Sequence, residues 1–100
     1  MQAGVYAATT HYLKAAAALG SAADGKAVVG KMKELPTDDP LFGKGIIRAD
    51  GRKIHPVNLY EVKKPAESKA EWDTFKPVST IPAEEAFRPL SEGGCPLVKG

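Results

Sequence analysis

The sequence has little of several features that would indicate a particular class of protein. It contains one cysteine, Cys95, among 100 residues, and one thiol cannot form an internal disulfide. Cys95 is therefore either a small buried side chain or half of a bridge to something outside the chain. No apolar run approaches the roughly 18 residues that a membrane span needs. The 14 basic and 12 acidic side chains leave a net charge of +2, which is too even to indicate a nucleic-acid partner.

The sequence also lacks bulk for a large hydrophobic core. Aromatic residues make up 7% of the chain, and about a third of its apolar residues are alanine, which buries little area. No basic segment followed by an apolar stretch precedes the first helical pattern, so no secretory signal is visible. These features fit a small cytosolic protein, and they fit equally an interior piece of a secreted one.

The first third of the chain predicts a helical hairpin. Residues 3–19 are rich in alanine and other helix formers, and Gly20 follows as a C-cap. Asp24 is a suitable N-cap for a second helix over 25–35, which Pro36 ends because the residue before a proline avoids helical dihedrals. Helical spacing predicts one apolar stripe of Val5, Ala8, Tyr12, Ala15, Ala16 and Leu19 on the first helix, and a weaker one of Tyr6, Thr10, Leu13 and Ala17.

The middle of the chain carries the signal of a β-hairpin. Asp50-Gly51 separates the apolar run 46–49 from a long second run, 53–62, and such a dipeptide predicts a two-residue turn with both φ angles positive. Because a proline cannot donate to a strand ladder, Pro56 predicts an edge or a bulge in the second strand. Residues 36–45 are predicted to be a loop.

The last third adds a strand and a short helix. Residues 63–72 are a polar loop in which Trp72 is predicted to cover adjoining surface, and 74–81 form a third extended run. Pro82 and the two glutamates after it mark a helix start, and the segment 91–100 is predicted to be coil. The fold class is therefore α/β, with two helices, a β-hairpin, a third strand and a short C-terminal helix.

No group of side chains has the spacing of a catalytic, metal or cofactor site. His11 is predicted to pack on a helix face, and His55 to place its ring on the surface of a strand; neither has a partner at metal-ligand spacing. Asp38 and Asp39 lie between two prolines, where solvated or turn-capping aspartates are usual. The stretch 43–45, Gly-Lys-Gly, lacks the rest of a phosphate-binding loop. The sequence predicts no enzyme, no cofactor and no metal.

Several stretches nevertheless resemble one family when they are taken in order. Residues 2–9 read QAGVYAAT, 31–35 read KMKEL, 45–52 read GIIRADGR, and 58–65 read NLYEVKKP. They resemble the C-terminal part of the periplasmic substrate-binding proteins of branched-chain-amino-acid-type ABC transporters. The ending is similar to the tail of one subgroup at Trp72-Asp73, Ile81-Pro82, Phe87-Arg88-Pro89-Leu90 and Cys95-Pro96-Leu97-Val98.

The resemblance implies that residues 1–100 are the C-terminal portion of a two-lobed solute-binding protein, with a hinge crossing near 61–75. It implies a periplasmic location, an amino acid or similar small polar ligand, and an ABC permease and the remainder of the longer chain as partners. Residues just before the late helix often line the ligand cleft in this family, which places Met1 and Gln2 as ligand-binding candidates. A fragment of this kind is also expected to self-associate through exposed apolar faces.

Two alternatives remain open from the sequence. One is a stand-alone α/β interaction module whose exposed strand edge recruits a peptide. The other is an accessory domain of an enzyme whose catalytic residues lie elsewhere.

Overall fold

The structure, a computed structural model, describes residues 1–98. A helical hairpin is followed by a three-stranded sheet, a two-stranded ribbon and a short helix. The elements are α1 (Gln2–Leu19), α2 (Gly25–Glu34), β1 (Thr37–Asp39), β2 (Gly43–Ile47), β3 (Lys53–Ile54), β4 (Val57–Val62), β5 (Phe75–Ile81) and α3 (Ala83–Ala86). Single 3-10 turns occur at Pro65–Glu67 and Leu90–Glu92. This arrangement confirms the predicted α/β class.

The helical hairpin follows its predicted caps. Gly20 ends α1 in the left-handed region at φ 72°, and its N–H donates to the carbonyl of Ala17. The Asp24 carboxylate accepts hydrogen bonds from the backbone N–H groups of Lys26 and Ala27, which have no partner inside the helix. Local chemistry alone therefore sets these two helix ends.

The buried face of α1 shares only Ala15 with the predicted stripes. Ala7, His11 and Ala15 are its buried residues, spaced one turn apart on the side that meets α2 and β1. Ala7 and Ala15 let the neighbouring backbones approach closely, and His11 between them is buried with its Nε2 2.7 Å from the carbonyl oxygen of Met32. The large side chains of both predicted stripes are exposed instead: Val5, Tyr6, Tyr12, Leu13 and Leu19.

The turn at residues 49–51 has three residues rather than the predicted two. The N–H of Gly51 donates to the Arg48 carbonyl, and the N–H of Arg48 donates to the Arg52 carbonyl, each at 2.8 Å. Gly51 has a φ of 86°, but Asp50 lies outside the positive-φ region, so the predicted pair of positive angles is wrong. The reason is the Asp50 carboxylate, which accepts from the Arg48 guanidinium and the Arg52 N–H and stabilises a turn with one left-handed glycine.

The long second strand predicted over 53–62 is also divided. β3 ends at Ile54, and β4 begins at Val57 in a different sheet. Pro56 has no N–H for a ladder and restricts the residue before it, so the chain leaves the sheet at this point. The order of the three-stranded sheet is β1-β2-β3, all antiparallel.

The predicted loop over 36–45 is partly strand. Thr37 pairs with Gly45 and Asp39 with Gly43, which places β1 on β2. The Asp39 carboxylate makes this tight turn possible, because it accepts from the N–H groups of Leu41 and Phe42. Capping by Asp39 was predicted, but its burial at 8% exposure was not.

The ribbon confirms the third predicted strand. β4 and β5 pair antiparallel from Val57 opposite Ile81 to Val62 opposite Phe75, with a register shift between Leu59 and Tyr60. All residues of β5 are exposed. α3 begins after Pro82 as predicted. The predicted C-terminal coil contains a 3-10 turn, and its last two residues lie outside the described range.

Candidate functional site

The predicted ligand-binding residues lie at the N-terminal end of α1. Met1 is fully exposed, its carbonyl accepts from the N–H of Val5 at 3.1 Å, and Gln2 is the exposed first residue of the helix. Gln2 and Tyr6 border two open depressions of about 430 and 630 Å³; Leu41 also lines the smaller and Thr9 the larger. The two predicted residues are therefore next to each other and accessible to a ligand.

A deeper cavity of about 530 Å³ lies between the helical hairpin and the three-stranded sheet. We call it the helix–sheet cavity. Small residues of α1, including Ala7 and Ala8, line one side, and Val29 and Met32 of α2 line another. Small side chains on one helix face leave this space, because larger ones would fill it.

Two buried polar side chains line the helix–sheet cavity. His11 is 5% exposed, and its Nε2 lies 2.7 Å from the carbonyl oxygen of Met32. Thr37 is 1% exposed. Within residues 1–98, neither His11 Nδ1 nor Thr37 Oγ1 has a hydrogen-bond partner. The prediction that His11 packs on a helix face is confirmed, with one ring nitrogen left unpaired.

An aromatic cluster lines the cavity on the sheet side. The ring centroid of His55 lies 4.7 Å from that of Phe42 and 5.5 Å from that of Phe87. His55 lies between β3 and β4 rather than in a strand as predicted, and its half-buried ring contacts those of Phe42 and Phe87. The Lys53 ammonium lies 4.7 Å from the Phe42 centroid, and the Arg52 guanidinium carbon lies 5.6 Å from that of Phe87.

One ion pair stabilises the turn beside the cavity. Lys53 Nζ lies 2.7 Å from Asp39 Oδ2. Burial alone would raise the pKa of Asp39, but the hydrogen bonds from Lys53 and from the N–H groups of Phe42 and Leu41 hold the pKa below its ordinary value. Asp39 therefore remains a carboxylate and neutralises Lys53.

The predicted hinge segment, 61–75, contains a loop between β4 and β5 that its own polar groups order. Lys63 Nζ donates to Asp73 Oδ1 at 2.6 Å, and this bond lowers the pKa of Asp73. Trp72 has a φ of 70° and is 85% exposed. The prediction that its ring covers adjoining surface is therefore wrong.

Neither a metal site nor a membrane-spanning helix occurs in the described part of the chain. Residues 1–98 contain no cluster of three or more histidine, cysteine or acidic side chains that could hold an ion. None of the helices within that range combines the length and apolarity needed to cross a membrane. The Gly-Lys-Gly stretch at 43–45 lies in β2 and pairs with β1. Cys95 is half-buried and free.

The sequence patterns did not predict the helix–sheet cavity. Its polar atoms come from α1 and β1, and its aromatic rings come from three distant segments. Two features of the sequence are related to it. Residues 4–8 contain small side chains at helical spacing. Gly45 is a glycine at a position where a Cβ would lie 2.8 Å from Thr37 Oγ1. Both indicate close backbone approach rather than a ligand.

Comparisons with known proteins define the class of this chain. Residues 1–70 match the family model of a periplasmic binding protein. A periplasmic binding protein from Burkholderia mallei is 48% identical with a TM-score of 0.84, over 94% of this chain and 24% of its own. A branched chain amino acid ABC transporter periplasmic ligand-binding protein from Burkholderia xenovorans LB400 is 41% identical with a TM-score of 0.87. That match covers 96% of this chain and 25% of the Burkholderia xenovorans chain. No curated protein matches the chain.

The chain therefore belongs to the periplasmic binding protein family, which confirms the resemblance read from the sequence. It spans about a quarter of the length of each of the two solved structures.

Proposed function

We propose that the chain is the C-terminal portion of the solute-binding component of an ABC importer, which captures an amino acid or related small polar compound and delivers it to a membrane permease. The location would be the periplasm, as the family implies. The Burkholderia xenovorans protein, described as a branched chain amino acid transporter component, supports this ligand class.

The observation that carries the proposal is the family match. The exposed faces of α1 agree with it. Val5 is 64% exposed and Leu13 is 58% exposed, on different sides of an 18-residue helix. Large apolar side chains exposed along two sides of one helix are typical of a surface that another part of a protein covers. The missing three quarters of a family-length chain would cover it, and a two-lobed protein would result.

In this proposal, Met1 and Gln2 line the ligand cleft, and the ribbon end at 61–75 is the hinge crossing. Gln2 is exposed at the first turn of α1, where the positive end of the helix dipole favours a carboxylate nearby. The ion pair between Lys63 and Asp73 would keep the ribbon rigid, so that closure occurs as a motion of whole lobes. The amide of Gln2 would bind the ligand, and Met1 would provide an apolar wall.

Calorimetric titration with leucine, isoleucine and valine tests the proposal. We expect the intact protein that contains this chain to bind at least one of the three with micromolar affinity. The 100-residue chain alone should show no binding at millimolar ligand, because most of the cleft lies outside it. Gln2→Ala should weaken binding by about fivefold, the value of one hydrogen bond.

The matched control is Lys44→Ala. This side chain is exposed and borders neither the helix–sheet cavity nor the two depressions. Its affinity should equal that of the wild type. Micromolar binding by the 100-residue chain, or no binding by the intact protein, would contradict the proposal. An equal loss of affinity in Gln2→Ala and Lys44→Ala would show that Gln2 does not contact the ligand.

A further inference from the structure

We propose that Asp24-Gly25 is a site of isoaspartate formation, and that the bonds around the turn at 49–51 protect Asp50-Gly51 from the same reaction. The two dipeptides are identical in sequence, so the difference between them comes from the fold. The inference concerns neither Met1 nor Gln2, and it does not depend on the proposed transport role.

The reaction requires the carboxyl carbon of an aspartate to reach the backbone nitrogen of the next residue. That nitrogen attacks Cγ of the protonated carboxyl, the N–Cγ bond forms, the Cγ–O bond breaks, and the amide proton leaves with the hydroxyl as water. Solvent water then opens the cyclic imide. Opening at the former main-chain carbonyl gives isoaspartate, whose backbone runs through Cγ and whose mass is unchanged. Glycine favours the attack because it has no Cβ beside the nitrogen.

Both reacting groups of Asp24-Gly25 are accessible. Residues 20–27 are all exposed. The Gly25 N–H belongs to the unpaired first turn of α2 and has no hydrogen-bond partner in the described chain. The carboxylate is held through one oxygen, Oδ1, by the N–H groups of Lys26 and Ala27 at 3.0 and 3.2 Å. Because helix ends fray, this cap opens and lets the carboxyl approach the nitrogen.

Both reacting groups of Asp50-Gly51 are held by other atoms. Arg48 Nε lies 3.0 Å from Asp50 Oδ1, and Arg48 Nη2 lies 2.8 Å from Oδ2, a contact through two bonds that fixes the plane of the carboxylate. The N–H of Arg52 also donates to Oδ1. The N–H of Gly51 donates to the Arg48 carbonyl at 2.8 Å. Attack at this position therefore requires several bonds to break together.

The contact with Arg48 also reduces the reactive form of the Asp50 carboxyl. The hydrogen bond from Arg48 lowers the pKa of Asp50 to about 2. At neutral pH the protonated carboxyl is then about a hundredfold rarer than in an aspartate with the ordinary pKa near 4. Lys33 of α2 donates to the Ala49 carbonyl at 2.8 Å and holds the same turn from outside the hairpin. Geometry and protonation therefore protect Asp50 in the same direction.

Peptide mapping of the intact protein tests the inference. The protein is kept at neutral pH and body temperature in water labelled with heavy oxygen, so that each imide opened by solvent gains one labelled oxygen. Electron-transfer fragmentation then distinguishes isoaspartate from aspartate. We expect isoaspartate at Asp24 to exceed that at Asp50 by at least about tenfold. When the protein is unfolded in guanidinium chloride, the two positions should react at similar rates.

Arg48→Met removes the guanidinium from the Asp50 carboxylate. It should increase isoaspartate at Asp50 by at least about tenfold and leave Asp24 unchanged. Arg52→Met is the matched control: it removes the same charge from the same hairpin but keeps the Arg52 N–H, and the Arg52 side chain forms no ion pair with Asp50 in the described chain. Its rate at Asp50 should equal that of the wild type. The comparison of the two positions within the wild type needs no variant.

Three results would overturn the inference. The first is an equal amount of isoaspartate at Asp24 and Asp50 in the folded wild type. The second is an absence of isoaspartate at Asp24 in the folded protein under conditions in which the unfolded protein forms it. The third is the same change at Asp50 in Arg48→Met and Arg52→Met.

Discussion

Gly45→Ala is expected to destabilise the three-stranded sheet, because the added methyl group has no space. A Cβ at this position would overlap the carbonyl oxygen of Ile54, lie 2.8 Å from Thr37 Oγ1 and lie 3.4 Å from the Cβ of His55. The nearest atom belongs to the backbone of β3, whose Ile54 is paired with Ile46 of β2. The strand must therefore move away and weaken its pairing.

The magnitude follows from two opposing effects. Overpacking a site with one extra carbon costs typically about 1–3 kcal/mol, and contact with a fixed backbone atom places Gly45 at the upper end. Restricting the unfolded chain returns about 0.5–1 kcal/mol. The net loss in the free energy of unfolding is about 2 kcal/mol, which lowers the midpoint of urea unfolding by about 1 M.

Equilibrium urea unfolding followed by circular dichroism measures this difference. Gly30→Ala is the control, because a Cβ on Gly30 of α2 meets no atom within 4 Å. It should raise the free energy of unfolding by about 0.5–1 kcal/mol, since alanine is the better helix former. If Gly45→Ala is as stable as the wild type, the close approach of β2 to β3 and Thr37 is wrong.

Three further predictions concern single side chains. The hydrogen bond from Arg48 lowers the pKa of Asp50 to about 2. The stabilisation of the folded state by this bond is therefore fully present above the ordinary aspartate pKa of about 4, and it is lost as the pH falls through about 2. A titration of the Asp50 carboxyl by NMR should show that midpoint, and Arg48→Met should raise the pKa toward its ordinary value, although the bond from the Arg52 N–H still lowers it. Lys53→Met should cost about 2 kcal/mol in urea unfolding, because the buried Asp39 loses its ionic partner and keeps two backbone bonds; an unchanged midpoint would contradict this. Trp72→Gly should raise the free energy of unfolding by about 1 kcal/mol by relieving the positive φ, and thermal unfolding that shows a loss would refute that strain.

Local chemistry explains which parts of the fold could be predicted. The helix ends at Gly20 and Asp24 depend on residues within one turn, so the sequence was sufficient for them. The start of α3 after Pro82 has the same origin. These features require no knowledge of distant residues.

Features that depend on distant residues were predicted wrongly. Helical periodicity placed Val5 and Tyr12 on the buried face of α1, but the contact with α2 and β1 selected Ala7 and His11 instead. Apolar content alone cannot choose between such faces, because a close approach of backbones favours alanine and the Met32 carbonyl of α2 gives the buried His11 ring a hydrogen-bond partner. In the same way, the burial of Asp39 depends on Lys53, which is 14 positions away.

The candidate site shows the same division. The resemblance to periplasmic binding proteins could be recognised from ordered motifs, and the comparisons confirmed it. The roles of Met1 and Gln2 stay predictions, since most of the cleft would come from other parts of a family-length chain. The helix–sheet cavity, by contrast, required coordinates, because α1, α2, β1 and the segment before β4 meet there only after folding.

A crystal structure of the intact protein with leucine bound is the most direct test of the proposed role. The account predicts that Val5, Tyr12 and Leu13 of α1 lie buried against segments outside these 100 residues, and that the side-chain amide of Gln2 lies within hydrogen-bond distance of the ligand. The account would be contradicted if the apolar side chains of α1 faced solvent and leucine were absent or bound away from the N-terminal end of α1.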